Sequence, residues 1–158
     1  MAEIEIDIPG RGLLRLSHAV LDVNGTLAVD GRLIDGVAER LARLRGQVSV
    51  HLLTADTHGA QAEIDKALNL KAQRLTPGGE RAQKAEFVNR LGASGVAAIG
   101  NGANDAGMLQ AAALSIAVIG REGASGEAVA APVVVVVGIA DALDLLLNPK
   151  RLVATLRR

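Results

Sequence analysis

The run His18-Ala19-Val20-Leu21-Asp22-Val23-Asn24-Gly25-Thr26-Leu27 decides how this 158-residue chain is read. Three apolar residues, Ala19 to Leu21, end in an acid, and a Gly-Thr turn follows at once. A strand buried on both faces of a parallel sheet reads as such a run, and it delivers its last residue to the end of the sheet. Two later stretches repeat the pattern, Leu52-Leu53-Thr54-Ala55-Asp56 and Ile99-Gly100-Asn101-Gly102-Ala103-Asn104-Asp105. If the three polar tips meet, they make one site with Asp22 at its centre.

Working outward, Ile4, Ile6 and Ile8 alternate with Glu3, Glu5 and Asp7, a half-buried strand. Pro9 to Gly12 is a turn and Leu13 to Leu16 returns, giving an N-terminal β-hairpin. Leu27 to Ile34, around Asp30-Gly31, predicts a small hairpin flap beside the site. Asp35 is placed to cap a helix with Val37, Leu41 and Leu44 on one face and Arg40, Arg43 and Arg45 toward water, closed by Gly46. Strand is predicted at Val48 to Leu53, helix from about His58 to Leu68, a weak strand near Gln73 to Leu75, and helix from Glu80 to Leu91. Strand Val96 to Ile99 and helix from about Asn104 to Ala112 follow. Leu114 to Ile119, Glu127 to Ala130, Val133 to Val137 and Ala140 to Leu147 read as strand, helix, strand, helix. A terminal helix begins at Pro149 and runs to Arg158. This alternation predicts an α/β fold with a mainly parallel sheet, in one domain over residues 1–158. Its site belongs at the carboxyl ends of the strands.

Composition removes several functions. The 17 basic and 17 acidic side chains cancel, and Phe87 is the sole aromatic residue. A nucleic-acid partner therefore lacks both its electrostatic and its stacking basis. Without cysteine there is no thiolate ligand or nucleophile. The apolar run Ala128 to Val137 contains Pro132 and is too short to span a bilayer, so a soluble, cytoplasmic protein is the expectation.

Each candidate residue has a plain structural alternative. Asp22 before Asn-Gly is a common turn former, yet a carboxylate beside the amides of Gly25 and Thr26 can attack phosphorus or hold a metal. Thr54, with Ala55, opens a helix N-terminal region suited to a phosphate oxygen, or it is a cap; Asp56 and Thr57 compete for that cap. His58 is a weak candidate for substrate contact, whereas His18 and His51 read as strand-flanking residues without metal spacing. Lys84 sits on an otherwise polar helix face, where a solvated lysine is usual, and Lys66, Lys71 and Arg81 compete for any cationic role. The loop Gly100 to Asp105 is dense in small and oxygen-bearing residues, which favours an ion or phosphate site.

Together these stretches resemble the haloacid dehalogenase superfamily of phosphoaspartyl enzymes. Asp22-Val23-Asn24-Gly25-Thr26-Leu27 looks like its first motif and Thr54 like its second; Thr54-Ala55-Asp56 is similar to the Thr-Gly-Asp of P-type ATPase phosphorylation domains. Lys84 fits the third motif, and Gly100 to Leu109 the fourth, with Asn101 in place of its first Asp. Weaker similarity continues through the segments from Ala130 and from Ala142. The resemblance implies a Rossmann-like three-layer sandwich without a cap domain. It makes Asp22 the nucleophile and Lys84 the residue that neutralises charge. Gly25, Thr26, Thr54, Ala55 and Asn104 would bind phosphate, and Asp22, Asn24, Asn101 and Asp105 would hold Mg²⁺.

Two departures matter. Phosphatases of the family carry an acid–base Asp where this chain has Asn24, and such help is typically worth about a hundredfold to ten-thousandfold. Asn101 removes one charge from the metal site. The expectation is a slow, Mg²⁺-dependent phosphohydrolase or ATPase-like enzyme acting on a phosphorylated small molecule or protein. The alternative is a non-catalytic module that binds a phosphorylated ligand or partner. An open, capless site also fits a homo-oligomer that covers it, as in the tetrameric octulosonate phosphatases of that superfamily.

Overall fold

A computed structural model describes residues 2–55, 59–130 and 134–158. The opening stretch forms strand β3 (His18–Asp22), in the interior of a six-stranded sheet. Numbering the elements in chain order, β6 (Ser49–Thr54) and β7 (Gln73–Arg74) lie to one side of it. β8 (Val96–Gly100), β9 (Leu114–Val118) and β10 (Val134–Val136) lie to the other. The order is β10-β9-β8-β3-β6-β7 and every pairing is parallel. Asp22 stands level with Leu53, and Leu21 with Ile99, so Thr54 and the Gly100 loop emerge beside Asp22. The chain first moves from β3 toward β7, then crosses back to β8. That reversal opens a crevice at the carboxyl ends of β3 and β8.

Alternation along the strands sorts the core into two layers. Ala19, Leu21, Leu52 and Ile99 face helices α1 (Val37–Leu44), α2 (Ala60–Leu68), α6 (Ile139–Leu147) and α7 (Pro149–Leu156). Val20, Leu53 and Ala98 face α3 (Glu80–Leu91), α4 (Ala106–Ala111) and α5 (Gly126–Ala130). The result is a three-layer α/β sandwich. β1 (Ile4–Ile8) and β2 (Gly12–Leu16) form the antiparallel N-terminal hairpin, with Ile4, Ile6 and Ile8 buried against the larger core. β4 (Ala28–Val29) and β5 (Arg32–Leu33) form the flap. Its two turn residues, Asp30 and Gly31, take φ of 54° and 75°, the left-handed pair that a tight hairpin needs.

Several local expectations change. Asp35 does not cap α1: Gly36 precedes the helix at φ 84° with no side-chain cap, and the Arg40 guanidinium reaches the Gly36 carbonyl instead (3.0 Å). Arg40 is half-buried rather than free in water. The packing of α1 on α6 brings it to Asp144, with Nε 2.9 Å from Oδ1. The last helix stops at Leu156 rather than Arg158. The caps sought at Asp56 and Thr57, the role sought for His58, and the start of the last strand at Val133 after Pro132 lie outside the described residues. Among the described residues no helix is long and apolar enough to cross a membrane.

Candidate active site

Three charged side chains meet at the carboxyl end of β3. Lys84 Nζ lies 2.8 Å from Asp22 Oδ1 and 2.7 Å from Asp105 Oδ1, and the lysine side chain is 1% exposed. Its burial follows from helical spacing that the polar-face description passed over. Phe87, Val88 and Leu91 stand three, four and seven residues after Lys84, and Val88 shares its buried stripe. Gly107 of α4 helps by its size: a Cβ there would come within 3.1 Å of the Arg81 carbonyl and 3.3 Å of Ala85 Cβ. The two helices can therefore approach closely and bring Lys84 onto Asp105.

Two carboxylates against one ammonium leave this buried cluster with a net negative charge. Burial first, and then the charge of Asp105, push the Asp22 carboxyl up from 3.8 to about 6, against the opposing pull of Lys84 and the Thr26 hydroxyl. Burial alone would lower the Lys84 ammonium, but Asp22 and Asp105 outweigh it and hold the lysine above its usual range. Asp105 is fully committed. Its Oδ1 accepts from Lys84 and its Oδ2 from the amides of Asn101 (3.0 Å) and Gly102 (2.9 Å). It fixes the loop after β8 as well as the lysine. Gly100 is required here, since a Cβ would fall 2.5 Å from Asp105 Cγ.

Thr26 links the first and fourth motif positions. Its buried hydroxyl lies 3.2 Å from Asp22 Oδ2 and 3.1 Å from Asn101 Oδ1. The amide cradle expected at Gly25 and Thr26 takes another form. Gly25 N–H donates to the Ala28 carbonyl (2.7 Å), and the amides of Thr26, Leu27 and Ala28 all turn inward to the Val23 carbonyl. The tight turn satisfies its own donors; the Asn24 amide alone among them makes no bond to a protein acceptor among the described residues. Gly25, at φ 83°, lies directly under Asn101, with room for a Cβ only 2.7 Å from Asn101 Nδ2.

The Asn24 side chain is exposed and its Nδ2 is 3.4 Å from Thr54 Oγ1, which joins the first and second tips. Ala55 is half-buried, and Asn104 is exposed on the loop, its Oδ1 next to Gly102. Neither bonds to the central cluster among the described residues. His18 and His51 stand apart from the site. His18 Nδ1 and His51 Nε2 are 3.1 Å apart within β3 and β6, His51 rests on the edge of Phe87, and burial together with His18 lowers its pKa below 6.5. The sequence did not single out the loop after β9, which the structure brings to the site. Asn101 Nδ2 donates to the Gly123 carbonyl (3.2 Å) and Ser125 N–H to the Asn101 carbonyl (2.9 Å).

The available donors for a metal are all oxygens: the Asp22 carboxylate, the Asn24 carbonyl and the Asn101 amide oxygen. Among the described residues no three carboxylates, histidines or cysteines gather as a metal site. Hard oxygens beside a net negative buried charge fit a small hard cation such as Mg²⁺, held with less charge than a three-carboxylate site would give.

A parallel three-layer sandwich, with an acid at the tip of its first central strand paired to a buried lysine and to a second acid, defines the class: the chain has the fold of the haloacid dehalogenase superfamily. It is similar to an uncharacterized protein of Methanocaldococcus jannaschii, MJ0073, at 42% identity over 92 residues, covering 56% of this chain and 99% of that protein. It is 30% identical over 118 residues to the chloroplastic copper-transporting ATPase PAA1 of Arabidopsis thaliana, covering 70% of this chain but only 12% of that one. Among solved structures it resembles the 3-deoxy-D-manno-octulosonate 8-phosphate phosphatase of Moraxella catarrhalis, solved with magnesium, phosphate and the sugar acid. That match has a TM-score of 0.64 and 18% identity, covering 89% of this chain and 92% of that one. No protein-family profile matches the chain.

Proposed function

We propose that this protein is a phosphohydrolase that works through an aspartyl phosphate on Asp22 and turns over slowly. The observation that carries the proposal is Lys84, buried and within 2.8 Å of both Asp22 and Asp105. Phosphoryl transfer needs positioning and charge neutralisation more than covalent chemistry, and a fixed buried cation beside a strand-end carboxylate supplies both. Asp22 Oδ attacks phosphorus, the bond from phosphorus to the leaving oxygen breaks, and Lys84 offsets the charge. Thr26 keeps the carboxylate oriented through its 3.2 Å bond. The Asn24 amide, the Thr54 hydroxyl and groups at the Ala55 and Asn104 rim receive phosphate oxygens. Water then cleaves the aspartyl phosphate, releasing phosphate and restoring the carboxylate.

A divalent ion, Mg²⁺ by the hardness of its donors, would rest on Asp22, the Asn24 carbonyl and Asn101, and would supply the second positive charge that a phosphate dianion needs. Asp105 serves through Lys84 and the loop. The magnesium and phosphate in the Moraxella enzyme support this assignment by analogy. Asn24 neither protonates the leaving group nor activates the water, so the phosphoenzyme persists. With only the flap beside it, the site is open to a phosphorylated small molecule or protein, or to cover by a second copy of the chain.

Incubation with Mg²⁺ and acetyl phosphate is expected to add one phosphoryl group by intact mass, and Asp22→Asn to abolish it. A wild-type chain that never labels and never hydrolyses an activated phosphate would overturn the proposal. It would favour instead the second reading, a binding module for phosphorylated ligands, which rests on the exposed, acid-free Asn24.

A further inference from the structure

Two depressions lie side by side next to the nucleophile. The outer one, of about 560 Å³, runs along the flap and is lined by Asp30, Arg32, Asp35 and Arg121 among others. The inner one, of about 370 Å³, begins at Thr26, whose hydroxyl is 3.2 Å from Asp22, and has walls of Ile34, Val118, Ile139 and Ala140. Among the described residues the two share only Ile34 and Arg121. Among the described residues, Arg121 is the single charged residue lining the inner depression, and Asp30 and Asp35 line the outer one alone.

Arg121 has no ion pair or side-chain hydrogen bond among the described residues. Its backbone, in contrast, is anchored. Gly120 N–H bonds the Val137 carbonyl (2.9 Å), Gly123 N–H the Gly120 carbonyl (3.3 Å), and Asn101 holds Gly123 and Ser125 from the site side. An unpaired guanidinium on an anchored loop, over an apolar slot that starts at the nucleophile's own hydrogen-bond partner, is suited to read a ligand.

Resting on the phosphohydrolase reading, we infer that these depressions receive the leaving group, and that Arg121 selects phosphorylated compounds whose leaving group is largely apolar and carries a second anionic group, such as a carboxylate. The apolar wall takes the body of such a group and Arg121 pairs its anion.

The test is binding, because it does not depend on turnover. Calorimetric titration with Mg²⁺ compares benzylphosphonate with 4-carboxybenzylphosphonate. Wild type is expected to bind the carboxylated analogue roughly tenfold tighter, the size of one charge-assisted hydrogen bond at a partly exposed site. Arg121→Ala should remove that preference while leaving benzylphosphonate affinity and melting temperature unchanged, and Arg121→Lys should keep part of it. Equal binding of the two analogues, or a preference that survives Arg121→Ala, overturns the inference and leaves the phosphohydrolase reading standing. If neither analogue binds but acetyl phosphate still labels Asp22, the subsite is refuted alone. If labelling fails too, both fall.

Discussion

Replacing Asp22 by Asn should stabilise this protein while abolishing its chemistry. The carboxyl titrates at about 6 in the fold, against an ordinary value of 3.8, because burial and the neighbouring Asp105 outweigh Lys84. A folded group with the higher value binds a proton that the unfolded chain has already released. Stability therefore falls as pH rises from about 4 to about 6, and the deficit is complete at pH 7.5. Each pH unit of separation corresponds to about 1.4 kcal/mol, so an ionised Asp22 costs the fold on the order of 3 kcal/mol. Asparagine reproduces the neutral form without loss of partners. Its oxygen can face Lys84, and its amide can donate to Thr26 Oγ1, which in turn donates to Asn101 Oδ1 at 3.1 Å. With about 2–4 °C of melting temperature per kcal/mol in a domain of this size, Asp22→Asn should melt about 6–12 °C above wild type at pH 7.5 in EDTA. The gap should close by pH 4. A variant that melts at or below wild type, or a gap that persists at pH 4, would refute the account of a buried carboxylate held ionised at a cost.

Three further outcomes are expected. Asn24→Asp should speed decay of the labelled enzyme by about a hundredfold or more in a chase assay, since the position is exposed and admits a general acid–base without repacking. Gly25→Ala should lower the melting temperature more than Gly92→Ala does. Both glycines have positive φ (83° and 94°), which costs alanine roughly 1–2 kcal/mol, but only at Gly25 does the new Cβ meet another residue, Asn101 Nδ2 at 2.7 Å. His51 works against Asp22 on acidification: it stays neutral in the fold below the pH at which it protonates when unfolded, so its own contribution to stability falls as pH drops below 6.5. His51→Gln should therefore steepen the gain in stability between pH 6.5 and pH 5 in urea-denaturation profiles, and an unchanged slope would exclude the histidine as an opposing contribution.

The parallel sheet and the site's three tips were legible because their signals are local. Apolar runs stopped by Asp22, Thr54 and Asn101 are properties of adjacent residues. The flap was legible for the same reason, since Asp30-Gly31 carries its own turn chemistry. What failed was whatever depended on which partner a group meets once the backbone has folded, near or far in sequence. Arg40 looked solvated until α6, 104 residues on, brought Asp144 to it. The Gly25 and Thr26 amides looked free for an anion because nothing in the sequence says that the Val23 and Ala28 carbonyls would take them. Lys84 is the intermediate case. Its spacing to Phe87, Val88 and Leu91 marks it as inward-facing, but weighing the helix face as polar hid that signal.

Asn101 shows why the site should be regarded as adapted rather than worn down. Its Nδ2 donates to the Gly123 carbonyl, and its Oδ1 lies 3.1 Å from the Thr26 hydroxyl, whose one proton it shares with Asp22 Oδ2. A carboxylate in the same pose would set a negatively charged oxygen 3.2 Å from that carbonyl oxygen, with no proton between them. The loop that carries Arg121 is thus built around an amide, and an Asp would gain charge for a metal only by releasing the loop. Asn24, exposed and bonded only weakly to Thr54 at 3.4 Å, carries no such constraint. The two asparagines therefore do different work. On the proposed reading, one positions the loop at the leaving-group side, and the other withholds the proton transfer that would make turnover fast.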